Sequence, residues 1–123
     1  MHYSDNIPIY IQIVEDIKEQ IMTGELEELE KLRSVRDYAA YYEVTTLTMQ
    51  RAMATLEAEG ITSVRKGIGS FIKEGIKKYL LNSYHQNMTR DYISKMRNIG
   101  FHDEEIIAAI KEGIGHESDV DHI

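Results

Sequence analysis

The chain has 123 residues, 42% of them apolar and 28% charged, enough for one compact domain with a small appendage. It contains no cysteine, which excludes disulfides and thiolate-bound metals. Its formal net charge of -7 gives no general attraction to phosphate, so any nucleic-acid contact must come from a local basic surface.

The opening MHYSDNIPIYIQIVEDIKEQ lacks a basic stretch followed by an unbroken apolar run, so no signal peptide is expected. No window approaches the roughly 20 apolar residues of a membrane span, and a cytoplasmic location is the expectation. Pro8 then precedes a helical pattern with Ile9, Ile13, Ile17 and Ile21 at four-residue steps and Tyr10, Val14 and Met22 alongside. Proline suits a first turn, where its missing N–H is not needed, and Gly24 is placed to end the helix. Ser34 is a candidate N-cap for a second helix over 35–42 that buries Val35, Tyr38, Ala39 and Tyr42. After a short turn at Val44, Thr45 or Thr46 opens a third helix that runs to Glu59 and stops at Gly60. Its apolar stripe is Met49, Ala52, Met53 and Leu56. Two short helices joined by a tight turn make a helix-turn-helix. The period then switches to alternation: 61–65 reads as a strand, 66–69 as a turn and 70–73 as a returning strand. A β-hairpin directly behind a helix-turn-helix is the wing of a winged helix.

Beyond Gly75 the pattern is helical again. Residues 77–98 read as one helix with Leu81, Tyr84, Met88, Tyr92 and Met96 along it, and Gly100 breaks it. A last helix carries Glu104 and Glu105 in its first turn, where the helix dipole favours acids, and Ile106, Ile107 and Ile110 on its apolar face. The stretch from His116 to Ile123 reads as frayed. The expected fold is mainly α with a small β-hairpin: a winged helix-turn-helix over residues 1–75 and a two-helix C-terminal tail over 76–123. One small domain cannot cover both apolar faces of the tail. Dimerisation through Leu81, Tyr84, Met88, Tyr92, Ile106, Ile107 and Ile110 is therefore expected.

Charge is unevenly spread. Acids gather at Glu25, Glu27, Glu28 and Glu30 and again at Asp103, Glu104 and Glu105. From Arg33 to Lys73 six bases (Arg33, Arg36, Arg51, Arg65, Lys66, Lys73) stand against four acids (Asp37, Glu43, Glu57, Glu59), a local charge of +2. That excess falls on the helix-turn-helix and the hairpin, the segment suited to meet a DNA duplex. Helical geometry turns Met49, Ala52, Met53 and Leu56 to the core and Leu47, Gln50, Arg51 and Ala54 away from it. An outward leucine touches thymine methyls, glutamine pairs with adenine edges, and arginine reaches guanine or phosphate. The alternative for Leu47 is packing on the wing or the first helix. Arg65, Lys66 and Gly67 place positive charge and bare backbone at the hairpin tip, suited to a minor groove or to phosphates. The histidines at 2, 85, 102, 116 and 122 show no ligand spacing, so no metal site is expected. No dinucleotide, P-loop or nucleophile-elbow motif is present, so neither a cofactor nor an enzymatic activity is expected. The stripe Tyr84, Met88 and Tyr92 suits packing better than the lining of a ligand pocket.

The run Ser34-Val35-Arg36-Asp37-Tyr38-Ala39, with Thr48-Met49-Gln50-Arg51-Ala52, Leu56-Glu57-Ala58-Glu59-Gly60-Ile61 and Arg65-Lys66-Gly67-Ile68-Gly69-Ser70-Phe71-Ile72, resembles the GntR family of winged-helix regulators. The opening Ile7-Pro8-Ile9-Tyr10-Ile11-Gln12-Ile13 is similar to that family's first helix. The tail from Met96 to Ile107 resembles the short two-helix tail of the YtrA subfamily. The chain departs from the family pattern at Glu28-Leu29, where Pro-Gly is usual, at Arg33 within the usual Leu-Pro-Ser, and at Tyr42-Glu43 in place of Leu-Gly. It also carries Thr46 where many members have arginine, with Arg33 as a nearby replacement.

The resemblance implies a DNA-contact set of Arg33, Ser34, Arg36, Thr45, Thr46, Leu47, Thr48, Gln50, Arg51, Arg65, Lys66 and Gly67. Arg36 would be a phosphate contact on the second helix, the alternative being an intrahelical pair with Asp37 or a neighbouring acid. It further implies a homodimeric repressor on an inverted-repeat operator in double-stranded DNA, and YtrA-like members commonly control nearby transporter operons. No small-molecule effector is assigned. A second reading stays open: a winged helix used as a protein-interaction module, docking through its acidic surface. Salt dependence of binding to DNA upstream of the chain's own gene separates the two.

Overall fold

The structure, a computed structural model, describes residues 1–121, with side chains described through residue 116. The elements in order are α1 (Ile9–Thr23), α2 (Val35–Tyr42), α3 (Thr46–Ala58), β1 (Thr62–Arg65), β2 (Gly69–Ile72), α4 (Ile76–Asn98) and α5 (Asp103–Asp121). They fall into two compact units, residues 1–82 and 83–123. The fold is the expected one, mainly helical with a single antiparallel hairpin.

In the first unit α1 starts on the carbonyl of Pro8, which accepts from the N–H of Ile11 at 3.1 Å, and closes at Gly24 in the left-handed conformation. Ile13, Val14, Ile17 and Ile21 are buried, whereas Ile9, expected in the same stripe, is exposed at the helix's first position. Ser34 Oγ accepts the Asp37 N–H at 3.1 Å and caps α2. Of the two threonines expected to open α3 it is Thr45 that caps it, its Oγ1 accepting the Thr48 N–H at 3.2 Å. Met49, Ala52 and Leu56 are buried, and Met53 packs against them at the edge of the core.

The hairpin pairs Thr62 with Ile72 and Arg65 with Gly69, so β1 starts one residue later than expected and ends where expected, while β2 lies one residue earlier. Ile61 precedes β1 and Lys73 follows β2. The three-residue tip, 66–68, is turned by Gly67 at φ 79°. The connection before α2 runs along the other side of β2. Lys31 bridges Phe71, the Leu32 N–H donates to Ser70 O at 2.9 Å, and the Ile72 N–H donates to Glu30 O at 3.0 Å. These bonds brace the wing against the helix-turn-helix.

Among the described residues two non-glycine residues take positive φ, Leu29 at 69° and Glu43 at 56°. They stand where the GntR pattern has glycine, the residue that takes positive φ without steric cost, so here L side chains occupy backbone that suits them poorly. Glu28, in the place of the family's proline, also has a task. Its carboxylate accepts the Lys77 N–H at 2.9 Å and so caps the first turn of α4. Ile76 and Leu80 of that turn and the next are buried in the core with Tyr38, Tyr42, Ile61 and Ile72. Leu80, not its neighbour Leu81, is the inward leucine.

In the second unit α4 ends through Gly100, whose N–H donates to Arg97 O at 3.0 Å, while the Phe101 N–H donates to Met96 O at 3.0 Å. Glu105 accepts the His102 N–H at 3.0 Å, which caps α5, and Arg97 pairs with Asp103 at 2.9 Å. Helix α5 continues through Asp121, past the point where fraying was expected. The rest of that expectation, residues 122 and 123 and the side chains from 117 on, lies outside the described residues. Among the described residues no helix is long and apolar enough to cross a membrane.

Candidate nucleic-acid interface

The outward face of α3 carries Leu47, Gln50 and Arg51, all exposed. Leu47 is 75% exposed, so it does not pack on the wing or on α1. A single exposed leucine is ordinary on a protein surface; what singles this one out is its place beside Gln50 and Arg51 on the outward face at the start of α3. Thr46 is exposed beside it, whereas the hydroxyls of Thr45 and Thr48 are joined to each other at 3.0 Å, and Ser34 caps α2. Ser34, Thr45 and Thr48 therefore work first as local structure.

The basic residues divide into two kinds. Arg33 lies 4.7 Å from the ring centre of Tyr41 and 5.8 Å from that of Tyr38; Arg51 lies 4.0 Å over Tyr10, and Arg65 4.7 Å over Phe71. Each of these guanidiniums is held on an aromatic face while its N–H edge stays open. Arg36 is exposed on α2 and forms no ion pair among the described residues, so the alternative pairing with Asp37 is not made. Lys66 and Gly67 are exposed at the wing tip, where a Cβ on Gly67 would meet nothing within 4 Å.

A groove of about 530 Å³ brings Arg33, Ser34 and Val35 together with Met53 of α3 and with Ile68, Gly69 and Ser70 of the wing. Lys31 lines it too. Its stem crosses the wing base so closely that a Cβ on Gly69 would stand 2.8 Å from Lys31 Cε. The expected contact set omits Lys31, although the basic run Lys31, Arg33, Arg36 was visible in the sequence. Phe71 was also foreseeable, being diagonal to Arg65 across the hairpin register. Tyr10 carries no such local signal, because it sits 41 positions before Arg51.

Burial raises the Tyr38 and Tyr42 hydroxyls above the ordinary range, and Tyr42 is raised further by the Asp16 carboxylate, to which it donates at 2.8 Å. Both remain neutral near pH 7, so the charge of this surface comes from its arginines and lysines. In the second unit a groove of about 500 Å³ is lined by His85, Thr89, Arg90, Ile93, Ser94 and Arg97 among others. Tyr84, Met88 and Tyr92 do not line it. No group of three acidic or histidine side chains able to hold a metal occurs among the described residues.

A capped helix-turn-helix with an outward recognition face, a braced wing and ordered arginines define a winged-helix DNA-binding regulator. The chain belongs to the GntR family: the model of bacterial regulatory proteins of the gntR family matches residues 9–72. It is 32% identical over 113 residues to the HTH-type transcriptional regulator YhcF of Bacillus subtilis (strain 168), covering 89% of this chain and 92% of that one. It is 36% identical over 74 residues to the HTH-type transcriptional repressor YtrA of the same organism, covering 60% of this chain and 57% of that one. Among solved structures it is similar to a GntR family transcriptional regulator from Listeria monocytogenes, with a TM-score of 0.82 and 38% identity over 89% of this chain and 98% of that chain. This is a family of transcription regulators, not of enzymes.

Proposed function

We propose that the chain is a homodimeric repressor that binds an inverted-repeat operator, as the winged helix of residues 1–75 reads DNA and the tail of 76–123 pairs two copies. The observation that carries the reading is Leu47, held 75% exposed beside Gln50 on the outward face of α3. In a major groove Leu47 meets thymine methyls and Gln50 an adenine edge. Arg36, Arg33 and Lys66 neutralise phosphates, and Thr46, Arg65 and Gly67 lie against the backbone or minor groove. Ser34, Thr45 and Thr48 fix the two helix starts that present these groups.

The tail supports a second copy as partner. Leu81, Tyr84, Met88 and Tyr92 are exposed along α4, and Ile107 and Ile110 on α5. Ile106, grouped with them from sequence, is only 4% exposed within its own chain, and it drops out of the contact set. Adjacent residues on a helix point about 100° apart, so Ile106 and Ile107 do not share a face. The repressor role follows the name of YtrA, and control of a nearby transporter operon follows the resemblance to YtrA-like members.

Selection of duplexes from a random-sequence pool by the purified full chain tests this reading. The expected product is an inverted repeat with half-sites about 10 bp apart or a multiple of that turn. Arg36→Ala is expected to weaken selected and scrambled duplexes by the same factor and to lower the salt slope by about one. Selection that enriches nothing, or binding indifferent to salt, would sink the operator reading in favour of a protein-interaction module.

A further inference from the structure

We infer that Tyr10 is a positioning residue for DNA binding, which holds Arg51 of α3 in place for a backbone phosphate and leaves base reading to Leu47 and Gln50. The inference rests on the docking of α3 proposed above.

Arg51 lies one turn beyond Leu47 on the outward face, which by sequence alone fits a guanine or a phosphate equally well. Its guanidinium is 4.0 Å from the ring centre of Tyr10, the shortest such contact among the described residues. Tyr10 belongs to the first turn of α1 and is half-buried against the core, so its ring has little freedom. A free arginine loses rotamer entropy when a contact fixes it, and a stacked one has already lost much of that. An arginine reading a base must extend out of the protein into the groove. Arg51 is instead drawn sideways onto α1, a placement that suits the strand flanking the groove better than the base edges within it. Nothing competes for its N–H edge, since Arg51 forms no ion pair among the described residues. The Tyr10 hydroxyl forms no hydrogen bond among them, so the ring's role is its face.

The test uses the full chain with a labelled duplex enriched from the random pool and a scrambled duplex of equal length. Arg51→Ala is expected to weaken both duplexes by the same factor and to lower the salt slope by about one. Tyr10→Leu is expected to weaken both about three- to tenfold, while Tyr10→Phe, which keeps the aromatic face, binds like the native chain. In an Arg51→Ala background Tyr10→Leu should have no further effect. Gln50→Ala, by contrast, should lose discrimination between the two duplexes. Native binding by Tyr10→Leu, equal loss in the Arg51→Ala background, or failure of Tyr10→Phe to restore binding overturns the positioning role. A selective loss in Arg51→Ala, on the enriched duplex alone, overturns the phosphate assignment. If Gln50→Ala and Arg51→Ala both bind and discriminate as the native chain does, the docking of α3 itself falls, and the role of Tyr10 falls with it.

Discussion

Leu29 and Glu43 occupy left-handed backbone that costs an L side chain roughly 1–2 kcal/mol, and neither side chain gains burial in return, Leu29 being 62% exposed. The turns themselves hold them there: the Leu29 N–H donates to Ile72 O at 2.8 Å, and the Val44 N–H beyond Glu43 donates to Ala39 O at 3.0 Å. Glycine removes the strain but enlarges the unfolded ensemble by about 0.4–1 kcal/mol. Leu29→Gly and Glu43→Gly should therefore each raise unfolding free energy by about 0.5–1 kcal/mol, measured as a higher urea midpoint at unchanged slope. Leu29→Ala should give no such gain, because alanine keeps the Cβ. A midpoint that falls with glycine would show that these turns carry no strain. The sequence displayed both departures from the family pattern, yet their backbone was invisible in it, since helical and strand periodicities carry no information about a turn's φ. Ile106 shows the same limit. In the pair Ile106-Ile107 the pattern leaves two registers open, and only packing chooses between them.

The helix starts were the most legible elements, because a cap is chemistry within three residues: Ser34 with Asp37, Thr45 with Thr48. The start of α4 was not, because its cap comes from Glu28, 49 positions away. The N–H groups of Lys77 and Gly75 hold the Glu28 carboxyl below its ordinary value of 4.5. A lowered folded pKa means that the cap's stabilisation is complete above the unfolded value. It declines as pH falls below about 4.5 and is absent once pH passes the lowered folded value. Glu28→Gln should thus lower the melting temperature at pH 7 and lose its deficit against the native chain on acidification. A deficit that stayed constant to low pH would assign it to lost packing, not to the charge. The stack of Arg51 on Tyr10 was hidden for the same reason as the cap, in that its aromatic partner belongs to a distant element, α1.

The first compact unit runs to Asn82 and contains Ile76 and Leu80, so the winged helix depends on the opening turns of α4. A cut after Lys73 removes both side chains, each worth roughly 1.5–3 kcal/mol of burial, out of a total stability of about 5–15 kcal/mol. Residues 1–82 are expected to fold and to sediment as a monomer with weak half-site affinity. The intact chain should sediment as a dimer at micromolar concentration and bind more tightly by an amount set by effective concentration. Dimeric 1–82, or a monomeric intact chain, would remove the tail from operator binding. The winged helix was readable as a whole because alternation follows 3.6-residue periodicity directly behind a cap-and-turn signature. The residues that make it a DNA reader emerged only in part, since exposure of Leu47 could be derived from the helical wheel but the bracing of the wing by 29–32 could not. The strained turns at Leu29 and Glu43 have an evolutionary consequence as well. A glycine at either position would offset about one average destabilising substitution, near 1 kcal/mol. A lineage that acquires such a glycine can then tolerate a costly change on the outward face of α3, and its operator preference is free to drift while the fold persists.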